Sequence, residues 1–227
     1  MKNTKIDWCD ATLNPVIGCK NGCPYCYARK MNDRFKFIER WDQPKFFPER
    51  LEQLNIKKSK SIFMDSMSDV GWWQVEWANP VLQAMIKNPQ HNYIFLTKEC
   101  NYPSAFHVLF LTKSASNLNN IFFGKSITRN NVDLDKARFD FLSIEPILEP
   151  IDVSELKKNK NVKQVIIGAE TGNRKDKVIP KKEWITDIVK VCDKCNIRVF
   201  MKESLRSLMG DEFRQDKLIW SFENGNN

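Results

Sequence analysis

Long apolar runs are missing from this sequence of 227 residues. None reaches the roughly 18 residues that a membrane-spanning helix requires, so we expect no membrane partner. The first residues, MKNTKIDWCDATLNP, also lack the apolar stretch of a secretory signal. Together these absences predict a cytoplasmic protein.

Linkers, low-complexity tracts and internal repeats are missing as well. A chain of this length can bury a substantial core within one compact domain. We therefore expect a single domain over residues 1–222. The last residues, 223–227, are polar and predict a frayed tail.

Histidine is scarce, because the chain has only His91 and His107, and neither lies near the main group of cysteines. Cysteine is more abundant, and its odd total of 7 argues against a framework built only of disulfides. In a reducing cytosol these thiols remain available for a metal or for catalysis.

Short apolar runs, each followed by polar or glycine-containing residues, recur along the chain. Runs without polar alternation are typical of strands buried on both faces of a parallel sheet. The predicted strands are 14–18, 61–64, 93–96, 121–124, 139–144, 165–168 and 199–201. Helical spacing of apolar residues predicts helices at 72–86 and 181–195, the second preceded by Pro180.

This alternation of strands and helices predicts βαβ units with right-handed crossovers. Seven candidate strands are too many for a small open sheet. We therefore expect an α/β fold that forms a partial or full (β/α) barrel of six to seven parallel strands. In such barrels the chemistry lies at the carboxyl ends of the strands, so polar residues after the predicted strands are candidate site residues.

Three cysteines lie within the segment GCKNGCPYC at 18–26. A short loop that contains Gly22 and Pro24 can direct three sulfurs toward one centre. Iron–sulfur clusters take thiolate ligands, and three ligands on a cubane would leave one iron open for a small molecule. Zinc is the main alternative, although a closed structural zinc site requires a fourth Cys or His. Unliganded thiols are the remaining interpretation.

Two other groups of residues fit packing better than chemistry. Cys192 and Cys195 share a helical face with apolar neighbours, and free cysteine behaves as a small buried apolar residue. Trp72, Trp73 and Trp77 could stack on bases, but their spacing is more typical of helix packing.

The spacing Cys-x3-Cys-x2-Cys, with aromatic Tyr25 directly before the last cysteine, resembles the signature of the radical S-adenosylmethionine superfamily. A closer resemblance covers most of the chain and is to a phage- and prophage-associated three-cysteine family with a radical-enzyme-like core. The segments that carry it are 8–15 with the cysteines, 66–69, 96–98, 142–146, 168–172 and 200–202.

This resemblance implies that Cys19, Cys23 and Cys26 bind three irons of a 4Fe–4S cluster and that S-adenosylmethionine binds the fourth. An external one-electron donor would reduce the cluster, and cleavage of the sulfonium would yield a 5′-deoxyadenosyl radical that abstracts hydrogen from a substrate. The cofactor supplies the chemistry, while the protein orients it and excludes solvent.

Further cofactor contacts follow from the resemblance and from the strand-end positions. Ser66, Ser68 and Asp69 follow the second predicted strand, where the superfamily binds the methionine amino group; turn and cap roles are the alternative. Glu145 could face the barrel mouth or form a strand-end salt bridge. The predicted set of cofactor contacts is Tyr25, Ser66, Ser68, Asp69, Ser126, Glu145, Gly168 and Glu170.

Glycine in the segment 168–172 would allow a ligand to approach the backbone closely, with a plain turn as the alternative. Lys98 and Lys202 are the predicted substrate contacts, since each could meet a carboxylate or a phosphate.

The net charge of +8 and the pI of about 9.1 favour a polyanionic partner such as nucleic acid, although a basic surface also keeps proteins soluble. The sequence thus predicts a radical enzyme with a nucleic acid base as a candidate substrate. The alternative is a non-catalytic zinc- or iron–sulfur-containing nucleic-acid-binding protein of the same fold.

Overall fold

The computed structural model describes residues 2–99, 104–116, 118–130 and 139–222. The tail predicted at 223–227 lies outside these residues. None of the helices in the described ranges combines the length and the apolar character that a membrane crossing requires.

The described chain contains ten strands, five α-helices and six 3-10 helices. The strands are β1 Lys2–Asn3, β2 Ala11–Thr12, β3 Val16–Ile17, β4 Lys45–Phe46, β5 Ser61–Phe63, β6 Asn92–Thr97, β7 Ile121–Ser126, β8 Phe141–Ile144, β9 Gln164–Ile167 and β10 Arg198–Met201. The α-helices are α1 Tyr27–Phe35, α2 Ala78–Lys87, α3 Ala105–Ser116, α4 Lys182–Lys194 and α5 Arg206–Met209. The 3-10 helices are Pro48–Leu54, Val70–Trp72, Val75–Trp77, Ser154–Lys157, Glu203–Leu205 and Gly210–Glu212.

One sheet contains eight of these strands in the order β1-β2-β5-β6-β7-β8-β9-β10. β1 pairs antiparallel with β2, whereas the seven strands from β2 onward run parallel. Parallel neighbours cannot be joined by tight turns, so long connections separate them in the sequence. The predicted α/β fold of the partial (β/α)-barrel class is confirmed.

The prediction of a first parallel strand at 14–18 is wrong. The first parallel strand is β2, which pairs with β5, whereas Val16–Ile17 forms β3 and pairs antiparallel with β4 in a separate two-stranded sheet. Pro15 explains the difference, because a residue without an N–H cannot donate to the ladder of a central strand.

The helix predicted at 72–86 begins later than expected, at Ala78, and two short 3-10 helices precede it. Pro80 accounts for the late start, since proline fits the first turn of an α-helix but not its interior. The helix predicted at 181–195 is confirmed as α4, Lys182–Lys194.

The chain divides into two compact units, residues 1–123 and 124–227, and the single domain predicted over residues 1–222 stays a prediction. In the second unit, one face of β8, β9 and β10 packs against α4. Cys192 is buried in this core and Cys195 packs against it, so their predicted packing role is confirmed.

The first unit contains a small apolar cluster beside the three neighbouring cysteines. Its buried members are Ile17, Ala28, Ile38 and Met67. Removing such side chains from water is worth about 25 cal/mol per Å² of apolar surface. Because Ile17 precedes the cysteine segment and Ala28 follows it, this burial fixes both ends of the segment.

Candidate functional site

The cysteine loop, residues 18–26, connects β3 to α1. Gly18 opens it with a φ of +111°, and a Cβ at this position would lie 2.9 Å from Trp41 O, so glycine is required. The Gly18 N–H donates to Met67 O at 3.0 Å, and the Cys19 N–H donates to Trp41 O at 2.9 Å. Backbone hydrogen bonds therefore fix the entry of the loop.

The thiols of Cys19, Cys23 and Cys26 are free and partly exposed. Cys26 is the N-cap of α1, and its Sγ accepts a hydrogen bond from the Arg29 N–H at 3.4 Å. The Cys19 Sγ accepts one from the Asn21 N–H at 3.5 Å. Helix N-termini and donated N–H groups stabilise a thiolate, which is the form that binds metals.

Burial raises the pKa of the Cys19 thiol to about 12, and the neighbouring Asp69 carboxylate adds to the effect. The charges of Cys23 and Cys26 raise the pKa of Cys19 further. The pKa of Cys26 is also raised, chiefly by burial. Coordination to a cation would offset this cost, because a bound metal removes the thiol proton and neutralises the sulfur.

The buried Asp69 carboxylate ties the cysteine loop to the strand ends of the first unit. Its Oδ2 accepts from Asn21 Nδ2 at 2.6 Å and from the Lys98 N–H at 2.9 Å. Its Oδ1 accepts from the Gly71 N–H at 2.9 Å and from the Thr97 hydroxyl. Four donors from three segments of the chain thus converge on one side chain.

A second carboxyl group, Asp65, is buried close to Asp69. It accepts hydrogen bonds from the Val70 N–H and the Leu96 N–H, each at 3.1 Å. Burial raises the pKa of Asp65 well above its ordinary value, and the charge of Asp69 raises it further. The two carboxyl groups together fix the turn that follows β5.

Ser66 and Ser68 lie in this same turn, and Ser66 contacts a residue on each side of the cysteine loop. The Ser66 hydroxyl donates to Asn14 Oδ1 at 3.1 Å, and the Ser66 carbonyl accepts from the Tyr27 hydroxyl at 2.7 Å. The Ser68 hydroxyl accepts from Trp73 Nε1–H at 3.0 Å. Their predicted contact with a cofactor stays a prediction.

Tyr25 and Lys98 are also brought together in the first unit. The Lys98 Nζ lies 5.5 Å from the centroid of the Tyr25 ring, within the range of a cation–π interaction. Lys98 directly follows β6, and Tyr25 lies in the cysteine loop. The predicted cofactor contact and the predicted substrate contact are therefore neighbours, while their roles stay predictions.

In the second unit, Glu145 and Lys202 follow β8 and β10 and form a short ion pair. Gly168 makes room for this pair, because a Cβ at this position would lie 3.0 Å from Lys202 Cδ and 3.2 Å from Glu145 Cγ. The salt bridge that was the alternative for Glu145 is thus present. The predicted cofactor and substrate contacts of these residues stay predictions.

The other predicted residues of the second unit are buried. The Glu170 carboxylate accepts two hydrogen bonds from the Arg174 guanidinium, at 2.6 and 2.8 Å. Ser126 on β7 lies in register with the buried Ser143 on β8. The cofactor contacts predicted for Ser126 and Glu170 stay predictions.

Sequence reasoning missed the polar residues that support the cysteine loop. Asn21 bonds to Asp69, and its Oδ1 accepts a short hydrogen bond from Trp72 Nε1–H. Trp72 therefore supports the loop in addition to its packing role. The Lys20 Nζ lies 5.4 Å from the centroid of the Trp72 ring. The position of Asn21 between two cysteines is the one signal that could have identified it.

Within the described part of the chain, no group of three His, Cys, Asp or Glu side chains is arranged to hold a single metal ion. A cubane differs from a single ion because its protein ligands bind separate irons and need not converge on one atom. Cys19, Cys23 and Cys26 supply the thiolate donors that iron–sulfur clusters take, and two of their sulfurs accept backbone hydrogen bonds. The donor set fits such a cluster.

The fold and the loop define an α/β protein of the partial-barrel class with three thiols in one loop beside its parallel sheet. A family model described as protein of unknown function (DUF5131) matches residues 3–212, so the chain belongs to this family. No curated protein and no solved structure matches the chain.

Proposed function

We propose that the protein is a radical S-adenosylmethionine enzyme whose cysteine loop binds a 4Fe–4S cluster. The proposal is carried by Cys19, Cys23 and Cys26, which lie in one loop that Asp69 ties to the ends of β5 and β6. When bound, the cluster and S-adenosylmethionine would supply a 5′-deoxyadenosyl radical that abstracts hydrogen from a substrate.

The protein's own residues would position these groups. Backbone N–H groups of Asn21 and Arg29 donate to two of the ligand sulfurs, and such hydrogen bonds tune the reduction potential of a cluster. Ser66 and Ser68, in the turn beside the loop, would contact the polar end of S-adenosylmethionine. Asp69 has a positioning role, because its hydrogen bonds hold the loop itself.

The substrate and setting are further parts of the proposal. The net charge of +8 supports a nucleic acid base as substrate, since a basic surface attracts polyanions. The setting would be a reducing cytoplasm shared with a phage or prophage. It would keep the loop thiols free, and an external one-electron donor would be supplied there.

Anaerobic reconstitution with iron and sulfide tests the proposal. The wild type should bind about four irons per chain and release 5′-deoxyadenosine from S-adenosylmethionine when dithionite is added. Cys23→Ala should lose both properties, because it removes one ligand. Cys9→Ser is the matched control, since this cysteine lies outside the loop, and it should retain both.

Metal analysis separates this proposal from its alternative. A wild type that contains zinc, takes up no iron and cleaves no S-adenosylmethionine would contradict the radical enzyme. Together with nucleic acid binding, that result would support the non-catalytic protein of the same fold.

A further inference from the structure

Helix α1 exposes an apolar surface that begins at the cysteine loop. Tyr27, Met31 and Phe35 are spaced four residues apart and therefore lie on one helical face. Their exposed fractions are 52%, 39% and 55%, and that of Phe37, just after the helix, is 38%. We refer to these four residues as the α1 stripe.

The Tyr27 hydroxyl donates to the Ser66 carbonyl, while the side chains of Met31 and Phe35 stay outside the buried face of the helix. The face that α1 buries carries Ala28 and Asn32. The Asn32 side chain exchanges hydrogen bonds with Ile38 backbone groups at 2.9 and 3.1 Å and so closes the end of the helix. A contiguous exposed apolar surface with a polar rim is typical of an interaction site.

The charges around the stripe are mostly positive. Residues 27–37 include four exposed cations and one exposed acid; the cations are Arg29, Lys30, Arg34 and Lys36, and the acid is Asp33. At 100° per residue, Lys30 and Arg34 lie beside the stripe. The Arg34 guanidinium lies 5.0 Å from the Phe35 ring centroid, so charge and apolar surface are contiguous.

We propose that the α1 stripe docks an acidic protein that carries one electron. This inference rests on the proposed function, because the electron is delivered to a cluster held by the neighbouring loop. The reduced carrier loses one electron and the cluster gains it, and no bond or proton is transferred. Tyr27 directly follows Cys26, so a carrier on the stripe lies beside a ligand of the cluster.

The chemistry of the surface fits such a carrier. Electron-transfer complexes use small interfaces, with an apolar centre and complementary charges that accelerate association. A second copy of this chain fits less well, because it would place Lys30 and Arg34 against the same cations of its partner, and like charges across an interface are unfavourable.

The test uses a flavodoxin of net negative charge as the probe. Its binding to the cluster-free protein is measured by titration at two ionic strengths, and the rate at which its hydroquinone form reduces the cluster is measured by stopped flow. Lys30→Glu/Arg34→Glu and Met31→Ala/Phe35→Ala should each weaken binding and slow reduction at least about tenfold. Reduction by dithionite should be unchanged, because a small ion needs no docking surface.

Matched controls use exposed residues of the second unit. Lys157→Glu/Lys160→Glu makes the same change in charge, and Ile179→Ala removes an apolar side chain that is 79% exposed. Both should bind the flavodoxin and accept its electron as the wild type does. Equal slowing by these controls would mean that net charge, not the α1 stripe, governs docking, and would overturn the inference.

The outcomes separate this inference from the proposed function. If iron binding and dithionite-driven cleavage of S-adenosylmethionine persist while the stripe variants dock normally, the inference fails and the enzyme stands. If the wild type docks the flavodoxin through the stripe but takes up no iron, the proposed function fails. A dimer that dissociates in Met31→Ala/Phe35→Ala would assign the stripe to a second copy and overturn the inference.

Discussion

At the scale of single residues, Asp69 connects segments that are distant in the sequence. Its partner Asn21 lies 48 positions away, and the cysteine loop depends on this contact for its place beside β5 and β6. The buried Asp69 carboxylate accepts four hydrogen bonds, so all of its lone pairs are used.

Asp69→Asn should destabilise the cluster-free protein by about 2–4 kcal/mol, measured by urea denaturation. The amide replaces one acceptor oxygen by a donor that faces other donors. Asp187→Asn is the control, because Asp187 forms an exposed ion pair with Lys190 and should change stability by less than about 1 kcal/mol. Equal effects of the two substitutions would contradict the role assigned to Asp69.

Asp65 predicts a dependence of stability on pH. Its pKa is raised in the folded protein above the ordinary 3.8, so the folded state holds this proton more firmly than the unfolded state. The stabilisation that the protonated Asp65 gives the folded state is fully present below pH 3.8. It is lost as pH rises through the raised pKa.

Asp65→Asn should remove this dependence while leaving an acceptor oxygen for the Val70 and Leu96 N–H groups. The melting temperature of the variant should therefore fall less than that of the wild type between about pH 5 and about pH 8. If the melting temperatures of the wild type and of Asp65→Asn change equally with pH, Asp65 does not titrate in this way.

At the scale of elements, Cys26 serves both the loop and the helix, because it is a predicted cluster ligand and the N-cap of α1. Substitutions can separate the two roles. In cluster-free protein, Cys26→Ala should be less stable than Cys26→Ser by about 1 kcal/mol, since a serine hydroxyl still caps the helix.

Both Cys26 variants should lose iron to a similar extent after reconstitution, measured as iron per chain. Retention of iron by Cys26→Ala would exclude Cys26 as a ligand, and equal stability of the two variants would exclude a capping contribution.

The elements also show what could be predicted from the sequence. Strands β5 to β10 each overlap a run of apolar residues, because a strand covered on both faces has no polar face to interrupt the run. The cysteine loop could be identified because three cysteines lie within one short segment of the sequence. The pair Glu145–Lys202 spans 57 positions, and a contact of that kind depends on the register of strands, which local patterns do not encode.

At the scale of the whole molecule, the excess of positive charge predicts a salt-sensitive interaction with nucleic acid. Binding of a single-stranded oligonucleotide, followed by fluorescence anisotropy, should weaken by at least about tenfold between about 50 and 200 mM salt, because bound cations release counterions from phosphates. A flat response would argue against a nucleic acid partner and would leave the charge as a determinant of solubility.

The hydrogen bonds that hold the cysteine loop bear on the order in which the chain would fold and bind a cofactor. The backbone N–H groups of Gly18 and Cys19 and the side chain of Asn21 each donate a hydrogen bond to another residue of the first unit. A zinc finger acquires its shape only when metal arrives. Under the proposed function, most of the ordering entropy would be lost during chain folding, so synthesis of the chain and loading with iron would be separable steps.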